Sequence, residues 1–160
     1  MAEKEAVTLV VFSGELDKAL ASFNIAITAA GMAMDVTMFF TFWGLNVIKK
    51  NRGSLKSQGL MRKMLNWMNR GGSQRLPLSK FHMFGLGTWM IKKLMGEERM
   101  PSLEDSIAMA KRLGVKFIAC TNSMGVMGLE EDSFIPEVDG FAGAATFLGE
   151  ARKGVVNLFI

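Results

Sequence analysis

The single cysteine, Cys120, is the residue of this sequence best suited to carry out chemistry. It ends an apolar segment, residues 115–119, and small polar residues and a predicted helix start follow it. If that segment is a strand of a parallel sheet, Cys120 lies at its carboxyl end, where open α/β sheets bind ligands. A lone thiol at such a point is either a packing residue or a nucleophile.

The position of Cys120 favours its interpretation as a nucleophile, because a cysteine that serves only for packing would be expected inside the apolar segment. The backbone N–H groups of the predicted helix start would point towards the sulfur and favour its thiolate. These groups belong to Thr121, Asn122, Ser123 and Met124. A helix terminus of this kind would lower a thiol pKa from about 8.5 to between about 7 and 8.

Other chemistries find little support in the sequence. There is no Cys-x-x-Cys pair, no glycine-rich nucleotide loop, and only one Cys and one His, which is too few for a zinc site. We therefore expect no metal and no cofactor. The histidine, His82, lies in a separate apolar segment and is expected to be packed or surface-exposed. What remains is transfer by a single thiol, which would attack a sulfane donor and store the sulfur as a persulfide.

The first two predicted strands should bring further residues to the edge of the sheet that carries Cys120. Residues 6–12 and 35–42 are apolar and β-branched, and a helix ending near Gly31 separates them. A right-handed crossover makes the strands parallel, so their carboxyl ends share one edge. We expect the pocket to be shaped by residues at those ends and in a later turn, namely Ser13, Gly14, Phe42, Trp43 and Gly143.

The remaining elements complete an α/β pattern. Ser102 and Asp105 predict a helix start, with Leu103, Ile107, Ala110 and Leu113 as its buried stripe. One or two short helices are expected within residues 123–134, a strand at 137–139 with Gly140 and Gly143 in the turn behind it, a helix at 141–153, and a buried strand at 155–160. The fold class is therefore a three-layer α/β/α sandwich with a five-stranded parallel sheet.

A basic, methionine-rich segment, residues 45–101, interrupts this pattern between strands two and three. It holds twelve basic and two acidic residues, a net charge of +10, whereas the remainder holds seven basic and thirteen acidic residues, a net charge of −6. We predict one domain, residues 1–160, with this segment as a helical insertion. Its methionine face is expected to be core or an oligomer interface; alternatively, the protein is a non-catalytic adaptor that docks an acidic partner or a membrane surface.

The sequence also limits location and partners. No signal peptide is recognisable, the thiol has no disulfide partner, and the apolar stretch 81–91 is too short to span a bilayer. We therefore expect a cytoplasmic protein. Nucleic-acid binding is not expected, because the basic segment carries no recognisable motif and the chain has no tyrosine.

Several motifs together resemble the DsrE/DsrF/DsrH-like proteins, in particular the branch with a long basic insertion. They are the Ser-Gly turn after the first strand, Cys120 followed by Thr-x-Ser-Met, Gly128-Leu129 with Phe134-Ile135, Gly140, and the terminal Ala-x-Lys-Gly-Val-Val-x-Leu-Phe segment. The resemblance implies a five-stranded sandwich that assembles as a trimer or hexamer. It also implies a cytoplasmic sulfur carrier or sulfurtransferase, with Cys120 bearing the sulfur and exchanging it with donor and acceptor proteins or small sulfane compounds.

Overall fold

The protein is described by a computed structural model over residues 5–51 and 59–160. Five parallel strands form one sheet in the order β4-β3-β2-β1-β5. The strands are β1 (Ala6–Val11), β2 (Asp35–Phe40), β3 (Lys116–Cys120), β4 (Gly140–Ala142) and β5 (Gly154–Phe159). The predicted α/β class and the five-stranded parallel sheet are thus confirmed.

Helices connect the strands and cover the sheet. The α-helices are α1 (Leu16–Gly31), α2 (Leu60–Met68), α3 (Leu86–Glu97), α4 (Leu103–Arg112), α5 (Thr121–Met127) and α6 (Ala144–Ala151). Short 3-10 helices span Phe42–Val47, Met83–Gly85 and Glu131–Ser133. The segment between β2 and β3 therefore contains helices α2, α3 and α4. The bounds proposed for the insertion, residues 45–101, stay a prediction. Residues 52–58 of the insertion lie outside the described residues.

The two faces of the sheet are covered by different helices. On one face, the Phe23 ring of α1 lies 6.4 Å from the Phe40 ring and 5.6 Å from the Phe117 ring, measured between centroids. On the other face, Phe147 of α6 stacks on Phe39 at 5.0 Å. Because Phe39 and Phe40 are consecutive on β2, they point to opposite faces, and each anchors one helical layer.

Helix α4 begins at the predicted cap. The Ser102 hydroxyl accepts a hydrogen bond from the Asp105 N–H at 3.1 Å, and the Asp105 carboxylate accepts one from the Ser102 N–H at 3.2 Å. This capping box satisfies two backbone donors at the helix start. Ile107 and Ala110 are buried as expected, but Leu113 is exposed because α4 ends at Arg112.

The fourth strand was predicted at residues 137–139, and this prediction was wrong. Asp139 is instead a polar connector: its carboxylate accepts a hydrogen bond from the Phe117 N–H at 2.7 Å and contacts Lys111 Nζ at 2.5 Å. Strand pairing begins one residue later, with Gly140 opposite Ile118. The predicted turn residue Gly140 is therefore in the strand, and α6 starts at Ala144 after Gly143 as its cap.

The last strand is also less buried than predicted. Strand β5 is an edge of the sheet, and the side chains of Val155 and Phe159 are 61% and 70% exposed in the single chain. The run of apolar residues was interpreted as a strand covered on both faces. In the structure, α6 has no fully buried residue, so this corner of the sandwich is thinly covered.

The segment that follows β2 is part of the hydrophobic core and contains a buried lysine. Leu45, Val47 and Ile48 are fully buried, and Lys49 beside them is only 1% exposed. Desolvation lowers the pKa of Lys49 to about 8. Its Nζ donates a hydrogen bond to the Asn69 carbonyl at 3.3 Å and forms none of the described ion pairs. Charging this amine therefore opposes folding.

We expect Lys49→Met to raise the free energy of unfolding by about 2 kcal/mol at pH 7. The fall in the Lys49 pKa from 10.5 to about 8 corresponds to a penalty of about 3 kcal/mol below pH 8, and the lost hydrogen bond offsets about 1 kcal/mol. Because the folded-state pKa is the lower one, the penalty fades as pH rises from about 8 towards 10.5. The gain should therefore fall to about zero near pH 10.

Denaturant unfolding at pH 7 and pH 10 measures this effect. Lys50→Met is the matched control, since Lys50 is exposed and donates to the Asp132 carbonyl at 2.7 Å. An equal gain in both variants, or a gain independent of pH, would show that burial of the Lys49 charge is not the cause.

Candidate functional site

Cys120 is both the last residue of β3 and the cap of α5. The strand register determines its neighbours on each side. Phe40 of β2 lies opposite Ala119, so Thr41 follows beside Cys120, whereas on the other side Cys120 itself pairs with Ala142 of β4, which Gly143 follows. The thiol is therefore held between the carboxyl ends of two neighbouring strands.

The Cys120 sulfur is buried but its surroundings are polar. The residue is only 5% exposed. Burial raises the pKa of the thiol, but hydrogen bonds from the Ser123 N–H, the Ser123 hydroxyl, the Thr41 hydroxyl and the Asn122 N–H outweigh burial and bring the pKa below its ordinary value. These donors favour the thiolate, because they stabilise a negative charge on the sulfur.

The two hydroxyls also form a hydrogen bond with each other, so that one donates its proton to the other and only the second donates to the sulfur at a given time. Thr41 Oγ1 and Ser123 Oγ are 2.8 Å apart, and Ser123 is almost fully buried. This contact joins residues from β2 and α5 that are far apart in sequence, and it holds both hydroxyls beside the sulfur. Because the two hydroxyls are already in place, they need little reorientation when the thiol ionises.

Thr41 was not among the residues expected from the sequence. The predicted second strand ran through residue 42, so Thr41 was treated as part of an apolar strand. In the structure β2 ends at Phe40, and Thr41 starts the turn into the 3-10 helix. A polar residue directly after a buried strand was an available signal, but only the register with β3 places it beside Cys120.

The predicted residues of the α5 segment lie in different environments. Thr121 and Asn122 are exposed, whereas Met124 belongs to the hydrophobic core. Gly143 caps α6 and faces Thr121, whose Oγ1 would lie 4.0 Å from a Cβ at that glycine. The exposed residues Thr121 and Asn122 therefore lie next to Cys120 on the solvent side of the helix start.

A second group of predicted residues meets at the carboxyl ends of β1 and β2. A Cβ on Gly14 would lie 2.6 Å from the Trp43 carbonyl oxygen, so these turns touch. Phe42 and Trp43 are each 44% exposed. The Ser13 hydroxyl accepts a hydrogen bond from Lys18 Nζ at 3.3 Å. The structure thus brings Ser13, Gly14, Phe42 and Trp43 together on the edge of the sheet that also carries Cys120.

The histidine, His82, is exposed and contacts a threonine of its own segment. His82 Nδ1 lies 3.0 Å from Thr88 Oγ1, and both residues are in the segment around the start of α3. Within residues 5–51 and 59–160 there is no cluster of three His, Cys, Asp or Glu side chains that could hold a metal ion. Over the same residues, every helix is too short or too polar to cross a membrane.

Comparison with known proteins gives the family. The sequence model of the DsrE/DsrF/DrsH-like family matches residues 3–159. The chain belongs to this family. The resemblance expected from the Cys120 segment and the terminal strand is thereby confirmed.

Two curated proteins are similar to this chain over almost its whole length. The chain is 40% identical over 153 residues to the uncharacterized protein YrkE of Bacillus subtilis, covering 96% of this chain and 95% of that protein. It is 30% identical over 165 aligned positions to the sulfur carrier protein DsrE2 of Allochromatium vinosum, with 99% of each covered.

Two solved structures share the fold at low sequence identity. The ychN protein from E. coli superposes with a TM-score of 0.60 at 8% identity, covering 98% of this chain and 99% of that chain. The protein MTH1491 from Methanobacterium thermoautotrophicum, of unknown function, gives a TM-score of 0.55 at 11% identity, covering 98% and 100%. At such identities the likeness concerns the fold alone.

Proposed function

We propose that this protein is a sulfur carrier or sulfurtransferase that holds sulfane sulfur as a persulfide on Cys120. The observation that carries the proposal is the environment of the only cysteine, which lies at the end of β3 with its pKa lowered by Ser123, Thr41 and Asn122. Membership of the DsrE-like family and the relative named as a sulfur carrier support the same role.

The proposed reaction needs no cofactor. The Cys120 thiolate attacks the outer sulfur of a donor persulfide, a new S–S bond forms, and the S–S bond of the donor breaks. The donor leaves as a thiolate with the bonding electron pair, so there is no net oxidation. In the second step an acceptor thiolate attacks the outer sulfur, and Cys120 is the leaving thiolate. The same hydrogen-bond donors stabilise it in both steps.

Residues on the same edge of the sheet are proposed to form the binding site for donor and acceptor. Thr121, Asn122, Ser123, Met124 and Gly143 surround the α5 start beside Cys120. The aromatic pair Phe42 and Trp43, with Ser13 and Gly14 behind it, forms the neighbouring exposed part of the edge. To these predicted residues the geometry adds Thr41.

The partners are proposed to be sulfur-donor and sulfur-acceptor proteins or small sulfane compounds in a reducing cytoplasm. Assembly as a trimer or hexamer stays a prediction. It is supported by the exposed apolar side chains of Val155 and Phe159 on the edge strand β5, since an exposed apolar edge strand is a template on which another chain can pair.

Mass spectrometry tests the proposal directly. After incubation with a polysulfide donor and removal of excess reagent, we expect one additional sulfur on the intact protein, located by peptide mapping on Cys120. Treatment with a reductant should return the original mass. The donor-treated protein should also pass its sulfur to a small thiol. Failure to load sulfur at neutral pH, with the thiol shown to be reduced, would refute the carrier function.

A further inference from the structure

The turn before α3 displays large apolar side chains to solvent. Six residues of this turn and of the first half of α3 are exposed, and we call them the α3 tip: Phe81, Met83, Phe84, Leu86, Trp89 and Met90. Phe84 is fully exposed. Soluble proteins rarely leave so many large apolar side chains together without a partner, so this surface requires an explanation.

The α3 helix carries these side chains on one face. Leu86, Trp89, Met90 and Lys93 follow the spacing of a single helical stripe, and all four are exposed. Gly87 and Met95 are the buried residues of α3. The apolar stripe therefore points away from the rest of the protein, which is the reverse of an ordinary surface helix.

The backbone of the turn holds the tip outward. Phe81, Met83 and Phe84 have φ angles of 57°, 40° and 55°, in the left-handed region that non-glycine residues rarely adopt. Hydrogen bonds from the N–H groups of Gly85 and Gly87 to the His82 carbonyl, at 2.8 and 3.3 Å, close the turn. A side chain at Gly87 would collide with the Phe81 carbonyl oxygen. The exposed aromatic rings are thus presented by a tightly constrained turn.

The sequence around the tip is predominantly basic, although the Asp17 carboxylate of α1 accepts hydrogen bonds from Ser79, next to Lys80, and Glu97 ends α3. Residues 36–96 contain no Asp or Glu. Lys80 precedes the tip, and Lys93 Nζ lies 5.6 Å from the centroid of the Trp89 ring. Trp and Phe beside Lys is the composition of helices that lie in the interface of a bilayer, where the rings enter the headgroup region and the cations meet anionic lipids.

We propose that the α3 tip docks this protein onto the surface of an anionic phospholipid bilayer. Helix α3 has 12 residues, about 18 Å of helix, against about 30 Å of hydrocarbon, so it lies in the interface and does not span the membrane. A second copy fits the same surface less well. Face-to-face pairing of two tips would bring Lys80 and Lys93 of one copy close to the same lysines of the other.

Vesicle co-sedimentation of the full chain tests this docking. Vesicles of phosphatidylcholine with one third phosphatidylglycerol should bind the protein, and added salt should weaken binding, while pure phosphatidylcholine should bind it much less. Phe84→Asp should lower the affinity for anionic vesicles by about 10- to 100-fold, because this factor corresponds to the transfer free energy of one phenylalanine side chain. Lys80→Glu with Lys93→Glu should abolish the preference for anionic lipid.

The matched control is Met32→Asp, which places the same charge on an exposed apolar residue at the end of α1 and should leave binding unchanged. Cys120→Ser should also bind normally, because docking does not depend on the thiol. Equal binding by Phe84→Asp and Met32→Asp, or no binding by the native protein, would overturn the proposal. So would a smaller oligomer for Phe84→Asp by light scattering, since the tip would then be an interface between copies.

Discussion

Cys120→Ser is expected to abolish sulfur loading completely. The protein contains no other thiol, and a serine hydroxyl does not ionise at neutral pH, so there is no nucleophile left at the end of β3. The serine is close in size and keeps the hydrogen bonds from Ser123 and Thr41 to the residue. We therefore expect the mass after donor treatment to equal the untreated mass, and transfer to an acceptor thiol to fall to the rate of the donor alone.

The fold of the variant is checked by far-ultraviolet circular dichroism and by its denaturant midpoint. Cys120→Ala provides a second variant, which keeps an apolar side chain of similar position in case the serine is poorly tolerated at a site that is 5% exposed. If either variant still gained sulfur, the sulfur would reside elsewhere and the role of Cys120 would be disproved.

The second large effect is expected from removing both hydroxyl donors, in Thr41→Val with Ser123→Ala. Because the two hydroxyls bond to each other, one of them at a time donates to the sulfur. One hydrogen bond to a charged group contributes about 1.5 to 3 kcal/mol, so the pKa of Cys120 should rise by about one to two units. Changing both residues together avoids leaving one buried hydroxyl unpaired, because Thr41 and Ser123 bond to each other at 2.8 Å. The backbone donors of Ser123 and Asn122 remain.

The change in rate is smaller than the change in thiolate fraction. At a pH well below both pKa values, a rise of about 1.5 pKa units lowers that fraction about 30-fold, but a more basic thiolate is about 5-fold more nucleophilic. The net rate of alkylation by iodoacetamide at such a pH should fall about 6-fold. The midpoint of the pH–rate profile should move to higher pH by the full change in pKa.

Thr121→Val is the matched control for this pair of changes. Its hydroxyl is at the start of the same helix but is not among the hydrogen bonds that lower the pKa of Cys120. We expect its pH–rate midpoint to match that of the native protein. A double variant with an unchanged midpoint would mean that the hydroxyls do not stabilise the thiolate.

The sequence by itself was sufficient for the fold class and for the position of the thiol within it. Hydrophobic runs, the Ser102 cap and glycine stops are local signals, and they indicated the strand and helix order around Cys120. The boundary of β4 was wrong by three residues at its start, Gly140 in place of 137. There the deciding contact is between Asp139 and Phe117, a long-range hydrogen bond that local sequence does not encode.

Tertiary structure alone decided which groups surround the sulfur and which apolar residues stay outside. Thr41 reaches Cys120 only because β2 and β3 pair in one particular register. Lys49 and the α3 tip reverse ordinary expectations, since a lysine is buried and aromatic rings are exposed. The sequence shows whether a residue is apolar or charged, but the burial of its side chain depends on what packs against it. That partner comes from distant parts of the chain, or from outside it.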